Sequence, residues 1–299
     1  MTTSQISANR LEQVQDLGSS HEAGRPDNDL AWLELNVEPI VRRVMDLSVT
    51  LKERLRLQSI ACDRLDEFFA KFVRRSWSAS ARADSLTTML HQNWQDGIQA
   101  QLAVPSGMRL VHVGELTPEQ QLKLRHHIVS KVWPLLTPLA VDQGHPFPAL
   151  PDRRLNLAVV LCKDCRCVVR RDRTFAIVTI PSLFGRIIES SPAVDGQRTF
   201  VLLEEAIASN IGLLFPGFRV AACSPFRITR ARAAGADGPH ELPLSRRQVV
   251  RLEISDATSS ADIESLLRTQ LGLEASGVFR VPGPMCLGEL STLGCRALQ

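Results

Sequence analysis

The chain has 299 residues, 44% of them hydrophobic and 22% charged, with 17 Gly and 17 Pro; this suits two folded domains and excludes collagen-like or wholly disordered classes. Its 35 Lys+Arg against 32 Asp+Glu give a net charge of +3, and only 5% of residues are aromatic, with no Tyr. Neither the basic field nor the stacking surface of a nucleic-acid binder is expected. No apolar run approaches the roughly 20 residues that cross a bilayer, and Met1 to Asp29 has no hydrophobic signal region, so neither a transmembrane segment nor standard secretion is expected. Cys62, Cys162, Cys165, Cys167, Cys223, Cys286 and Cys295 are an odd set without paired framing, which fits a reducing, cytoplasmic compartment.

Residues 1–29 are polar and aperiodic and read as a disordered leader. A helical bundle is expected over 30–133. Ile40, Val41, Val44 and Met45 form one apolar stripe, and Leu51, Leu55 and Leu57 resume it after Ser48. Leu65, Phe68, Phe69 and Phe72 fall at i, i+3, i+4 and i+7, the strongest helical period in the chain. Thr117-Pro118-Glu119-Gln120 opens the last helix of this half with an N-cap, a proline at the first helical position and a capping box. That helix should run through Leu124, Ile128 and Val132 until Pro134 and Pro138 stop it. Pro134 to Pro151 is expected to be a stiff extended connection and the domain boundary.

Beyond it, over 134–299, the period changes to that of strands at Leu155 to Leu161, Cys167 to Arg170, Phe175 to Ile180, Val220 to Ala222, Phe226 to Thr229 and Val249 to Ile254. Helices are expected at Leu203 to Leu214 and Ala261 to Leu271. The fold class is therefore α+β: an amino-terminal helical bundle followed by a mixed, largely antiparallel sheet domain with helices.

Several constellations could carry chemistry. Cys162-Lys163-Asp164-Cys165 has the spacing of half a metal site, but no second pair stands at usable spacing, so a turn with incidental cysteines stands beside a metal or redox reading. His126 and His127 are about 100° apart on a helix and cannot share a ligand face. His145, in His145-Pro146-Phe147-Pro148, is either held in a rigid turn or poised for a catalytic or phosphate-contacting role. Arg42-Arg43, Arg74-Arg75, Arg153-Arg154, Arg170-Arg171 and Arg246-Arg247 are doublets suited to phosphate or to solvent. Asp66-Glu67 is expected on the polar side of the Phe-striped helix, solvated or in a surface ion pair. No Gly-rich phosphate loop and no Gly-x-Ser-x-Gly is present. No catalytic residue and no metal ligand is assigned.

Trp32-Leu33-Glu34-Leu35-Asn36, Leu51-Lys52-Glu53-Arg54-Leu55-Arg56-Leu57 and Leu65-Asp66-Glu67-Phe68-Phe69 resemble, in order and spacing, the amino-terminal helical domain of bacterial polyphosphate kinases. Leu136 to Asp142, His145-Pro146-Phe147-Pro148, Leu155 to Val159, Ile180-Pro181-Ser182, Phe226-Arg227-Ile228-Thr229-Arg230, Val250 to Glu253 and Val281 to Pro284 resemble the family's middle, or head, domain. The similarity runs from about Leu30 to Leu290.

The resemblance implies an enzyme of the ATP:polyphosphate phosphotransferase family, working with ATP and magnesium through a phosphohistidine, and a homodimer. In the family that histidine and most nucleotide contacts lie in two further carboxy-terminal domains, so the expectation is a chain truncated before them, inactive alone and served by a separate catalytic chain. The alternative is a non-enzymatic dimerisation or interaction module, or a decaying gene product. His145 is not the family's phosphorylated histidine. Where the family has Ser-Asn-Asn before Leu-Asp-Glu-Phe, this chain has Cys62-Asp63-Arg64, which puts Arg64 at the adenine-contacting position. An arginine offers only donors, so Arg64 would either hold a phosphate or stack on a ring instead of reading the base edge, or stand as a solvated residue at a helix start. Lys71-Phe72 replaces the usual Val-Arg, and the acidic helix after the FR-x-TR element is shortened to Ala231 through Leu244.

Overall fold

The computed structural model describes residues 26–72, 77–141, 147–163, 173–194, 197–232 and 247–293. The first described helix, α1, spans Pro26–Asn36, beginning four residues before Leu30, and α2 spans Glu38–Met45 with Val41 and Val44 buried. The long helix α3, Leu51–Phe72, buries Leu55, Ala61, Leu65, Phe68 and Phe69, as its apolar period requires. Trp32 of α1 lies on that stripe, with its ring 6.1 Å from Phe68 and 5.6 Å from Phe72. Such aromatic pairs add about 0.5–1.5 kcal/mol beyond their area burial.

Helix α4, Trp77–Asn93, passes through a π turn, Trp94–Ile98, into α5, Gln99–Ser106. Arg54 of α3, only 1% exposed, holds these pieces together. It donates to the Val44 carbonyl at 2.7 Å, Gln101 Oε1 at 2.8 Å and Asn93 Oδ1 at 2.9 Å. Three acceptors compensate a guanidinium whose pKa burial pulls below its usual value.

Gly107, at φ 60°, takes the left-handed conformation that ends α5, and β1, Met108–Leu110, follows. Helix α6, Pro118–His127, has the capping box its sequence specifies: Thr117 Oγ1 accepts from the Gln120 N–H at 3.3 Å, and Gln120 Oε1 accepts from the Thr117 N–H at 3.0 Å. It continues as a π turn, Ile128–Val132. Its buried stripe, Leu124, Ile128 and Val132, packs in one cluster with Leu157 and Val159 of the sheet.

The main sheet has six strands in the order β2-β4-β3-β7-β8-β9: β2 Pro138–Val141, β3 Asn156–Cys162, β4 Arg173–Thr179, β7 Arg219–Arg230, β8 Val249–Ser255 and β9 Val278–Val281. Neighbours pair antiparallel except β8 and β9. The α+β class with a largely antiparallel sheet is thus the observed architecture. Strand β3 is buried at all seven residues because it is covered on both faces. Leu157, Val159 and Leu161 face the α6 side, while Ala158 and Val160 join Ile263 and Leu267 of α8, Ala261–Leu271. A second sheet, β1-β6-β5, is built from β1 and the hairpin of β5 Ile187–Val194 and β6 Gln197–Leu202.

Three departures from the sequence expectations have local causes. The runs Val220 to Ala222 and Phe226 to Thr229 form one strand, β7, across Pro225. Pairing with β8 begins only at Phe226, so the missing proline N–H falls before that ladder starts. The connection after Pro134 contains β2, because Pro138 stands first in an edge strand where its donor is not needed. The helix expected over Leu203 to Leu214 divides at Ser209-Asn210 into α7, Leu203–Ala208, and a 3-10 turn, Ile211–Leu214.

Candidate functional site: a cleft between helices and sheet

Where α3 lies against the sheet, a cleft of about 630 Å³ opens, lined among others by Asp63 and Asp66 of α3, His91 of α4, Arg227 of β7 and Arg153 and Arg154 of the turn before β3. Its volume is in the range of small-molecule sites. The closing wall is a 3-10 turn, Leu287–Ser291, which returns from the sheet to α3. A Cβ on Gly288 would lie 3.2 Å from Cys62 Cβ and 3.5 Å from Ser59 Cα, so glycine is what permits this approach.

A buried ion-pair chain crosses the base. Arg227 donates from Nη1 and Nη2 to Asp66 at 2.9 and 2.8 Å, and from Nε to Glu253. Glu253 also accepts from Arg251 Nε at 3.3 Å, and Arg251 Nη1 bonds Asp84 of α4. The Arg251 guanidinium lies between two rings, 3.7 Å from the Phe69 centroid and 4.4 Å from that of Phe279. Arg186 bonds Glu204 and donates to the Cys286 carbonyl at 2.8 Å. Despite burial, Arg227 and Arg251 hold Glu253 down to about 2. Burial, aided by the Glu253 charge, pushes Asp66 up against the pull of Arg227.

The remaining reactive groups are subdued. Burial holds the His91 imidazole down to about 4 and leaves it neutral at pH 7; its Nδ1 has no hydrogen-bond partner. Burial pushes the Cys62 thiol well above the ordinary range and the Cys286 thiol up to about 12, so neither is a thiolate nucleophile at neutral pH. The carboxylates of the base are engaged by arginines, and among the described residues no group of three or more His, Cys, Asp or Glu side chains could hold a metal ion. Among the described residues the cleft therefore offers magnesium no cluster of free carboxylates.

Among the described residues, two non-glycine positions have positive φ, Arg153 at 56° and Cys286 at 49°, and both line this cleft. Each left-handed residue costs about 1–2 kcal/mol, offset at Arg153 by a 2.8 Å bond from its N–H to the Ile228 carbonyl.

Arg64 lies beside this cleft on α3 and is not one of its lining residues; its Nη1 donates to Glu67 Oε2 at 3.1 Å. Glu67 also accepts from Lys71 at 2.5 Å, the surface pairing expected of it. Asp66, placed with Glu67 on the polar side by sequence, is instead buried against Arg227. The signal was present: Cys62, Asp66 and Phe69 stand at i, i+4 and i+7, one face of the helix. Arg227, inside the FR-x-TR element, alternates with buried Phe226 and Ile228 and so emerges on the opposite sheet face. His126 and His127 are both exposed, and Cys162 is buried in β3. His145, Cys165, Cys167, Cys295, the strand expected at Cys167 to Arg170 and the doublets at 74–75 and 170–171 lie outside the described residues, as does Arg246.

Residues 119–237 match the model of the polyphosphate kinase middle domain. The chain is 32% identical over 313 aligned positions to the polyphosphate kinase of Streptomyces coelicolor, covering 93% of this chain and 40% of that protein. It is 30% identical to that of Halalkalibacterium halodurans, over 93% of this chain and 43% of the relative. The crystal structure of polyphosphate kinase from Porphyromonas gingivalis superposes with a TM-score of 0.70 at 19% identity, over 92% of this chain and 41% of that one, which shows a shared fold. Residues 119–237 thus match the middle domain of polyphosphate kinases, and the chain, similar to these enzymes over about nine tenths of its own length, spans about two fifths of the length of the curated relatives it matches.

Proposed function

We propose that this chain is a substrate-binding part of an ATP:polyphosphate phosphotransferase and that its 299 residues, taken alone, bind ATP or polyphosphate without transferring phosphate. The observation that carries this reading is the alignment of 93% of the chain with a polyphosphate kinase of which it covers only 40%. The cleft supports it. Phosphoryl transfer needs positioned charges and an activated nucleophile, whereas Asp66 and Glu253 at the cleft's base are paired with arginines, the Cys62 and Cys286 thiols are pushed up and His91 is buried. Magnesium would arrive with the nucleotide phosphates. The same reading places the protein in the cytoplasm as a homodimer and leaves the transfer machinery to parts of the enzyme outside these 299 residues; no described helix is long and apolar enough to cross a membrane. It divides the chain into a helical part, 30–133, and a sheet part, 134–299, with α6 of the first packed against the sheet of the second. Arg64, at the family's adenine position, would meet a phosphate or a ring face.

The test is incubation of the 299-residue protein with γ-labelled ATP and magnesium, alongside equilibrium dialysis against ATP and polyphosphate. Saturable binding without acid-stable polymer is expected. Polymer, or acid-labile label on the protein, would overturn the absence of transfer; no binding of either ligand would overturn the substrate-binding reading.

A further inference from the structure

The cleft holds cationic groups that its ion-pair chain does not use. Arg154 is exposed at the mouth of the cleft it lines, and among the described residues its side chain has no hydrogen-bond or ion-pair partner. Arg153 donates from Nη2 to the Asp66 carbonyl at 3.2 Å, and its Nε has no hydrogen-bond partner but makes a long ion pair with Asp152 at 3.7 Å. Arg227 and Arg186, by contrast, are engaged by Asp66, Glu253 and Glu204.

Two consecutive residues of an extended chain send their side chains to opposite faces. The positive φ of Arg153 breaks that alternation, and both arginines line one cleft. Strain of this kind persists where the surroundings over-determine it and collects at ligand sites. Here the Ile228 carbonyl and the Asp66 backbone hold the turn in place. Guanidinium forks match phosphate oxygens in pairs, and a cleft of about 630 Å³ has room for several phosphoryl groups.

We propose that Arg153 and Arg154 form an oligophosphate subsite on the sheet side of this cleft, binding a phosphate chain through its oxygens irrespective of any nucleoside attached to it. The proposal rests on the phosphotransferase reading for its ligand chemistry and adds the residues and the part of the ligand they grip. Asp63, exposed on the opposite wall, is the charge that opposes such a ligand.

The experiment is calorimetric titration of the full chain with inorganic tripolyphosphate, ATP and sulfate at one ionic strength, using wild type, Arg154→Gln and Asp63→Asn. Tripolyphosphate and ATP should bind wild type with similar affinity and sulfate much more weakly. Arg154→Gln should weaken the first two by about tenfold or more, the loss of a charge-assisted contact, and Asp63→Asn should tighten them. Arg154→Gln is checked by circular dichroism for an unchanged fold. If wild type binds tripolyphosphate and Arg154→Gln binds it equally well, the subsite is wrong while the substrate-binding reading stands. Arg154→Gln weakening ATP alone, or sulfate binding as tightly as tripolyphosphate, also overturns the subsite. If wild type binds neither phosphate ligand, both fail.

Discussion

Asp66 in α3 and Arg227 in β7, 161 residues apart in sequence, share two hydrogen bonds of 2.9 and 2.8 Å and join the helical bundle to the sheet. Arg227 serves two buried carboxylates, so the partners are not equivalent. Arg227→Met would leave Asp66 and Glu253 facing each other and should cost about 3–5 kcal/mol. Asp66→Asn keeps an acceptor for Arg227, which retains Glu253, and should cost less, about 1–3 kcal/mol. Urea denaturation of both variants decides it; equal losses would mean that Arg227 is not the shared centre.

A second expectation concerns pH. With the His91 imidazole held down to about 4 by burial from an ordinary 6.5, the unfolded chain takes up a proton that the folded chain refuses. This contribution to stability is complete above pH 6.5 and is lost as pH falls toward 4, a change on the order of 3 kcal/mol. Glu253, held down to about 2 from 4.5, loses its own contribution in the lower window, as pH falls from 4.5 to 2. In denaturation curves between pH 7 and 4.5, His91→Leu should therefore lose stability less steeply than wild type. Parallel losses would show that His91 is not the titrating group.

Gly288 offers a packing test. Alanine there would press 3.2 Å from Cys62 Cβ and 3.5 Å from Ser59 Cα, both on a helix that cannot easily give. Gly288→Ala should lower stability by about 1–3 kcal/mol. In a double-mutant cycle Cys62→Gly should recover part of that loss. Thermal denaturation giving fully additive effects would place the clash elsewhere.

For Arg64, restoring the family's residue should raise the preference for ATP over GTP by no more than about 1–3 kcal/mol, the scale of a good bidentate base contact. Arg64 is tied to Glu67 and does not line the cleft, so Arg64→Asn should leave tripolyphosphate affinity unchanged. Titration of both proteins with the three ligands checks this, and a fall in tripolyphosphate affinity would place Arg64 in the phosphate site.

What was legible in the sequence was what local period and caps control. The Leu65, Phe68, Phe69, Phe72 stripe, the box at Thr117 and Gln120 and the apolar run of β3 carry their own geometry. What was not legible depends on partners distant in the chain. Asp66 reads as a surface acid until Arg227 is placed opposite it, and Arg153-Arg154 reads as a solvated doublet until one left-handed residue turns both into a cleft. Strands β5, β6 and β9 escaped notice because their alternation is short or polar, and only pairing with neighbours makes strands of them.

The central claim, that the phosphate ligand binds between helices and sheet, is tested most directly by amide hydrogen exchange on wild-type protein with and without saturating tripolyphosphate. The account predicts slowed exchange on both walls together, in α3 around residues 59–69 and in the turns around 153–155 and 181–186. Protection confined to one wall, protection only at sites away from the cleft, or no change at saturation would contradict it.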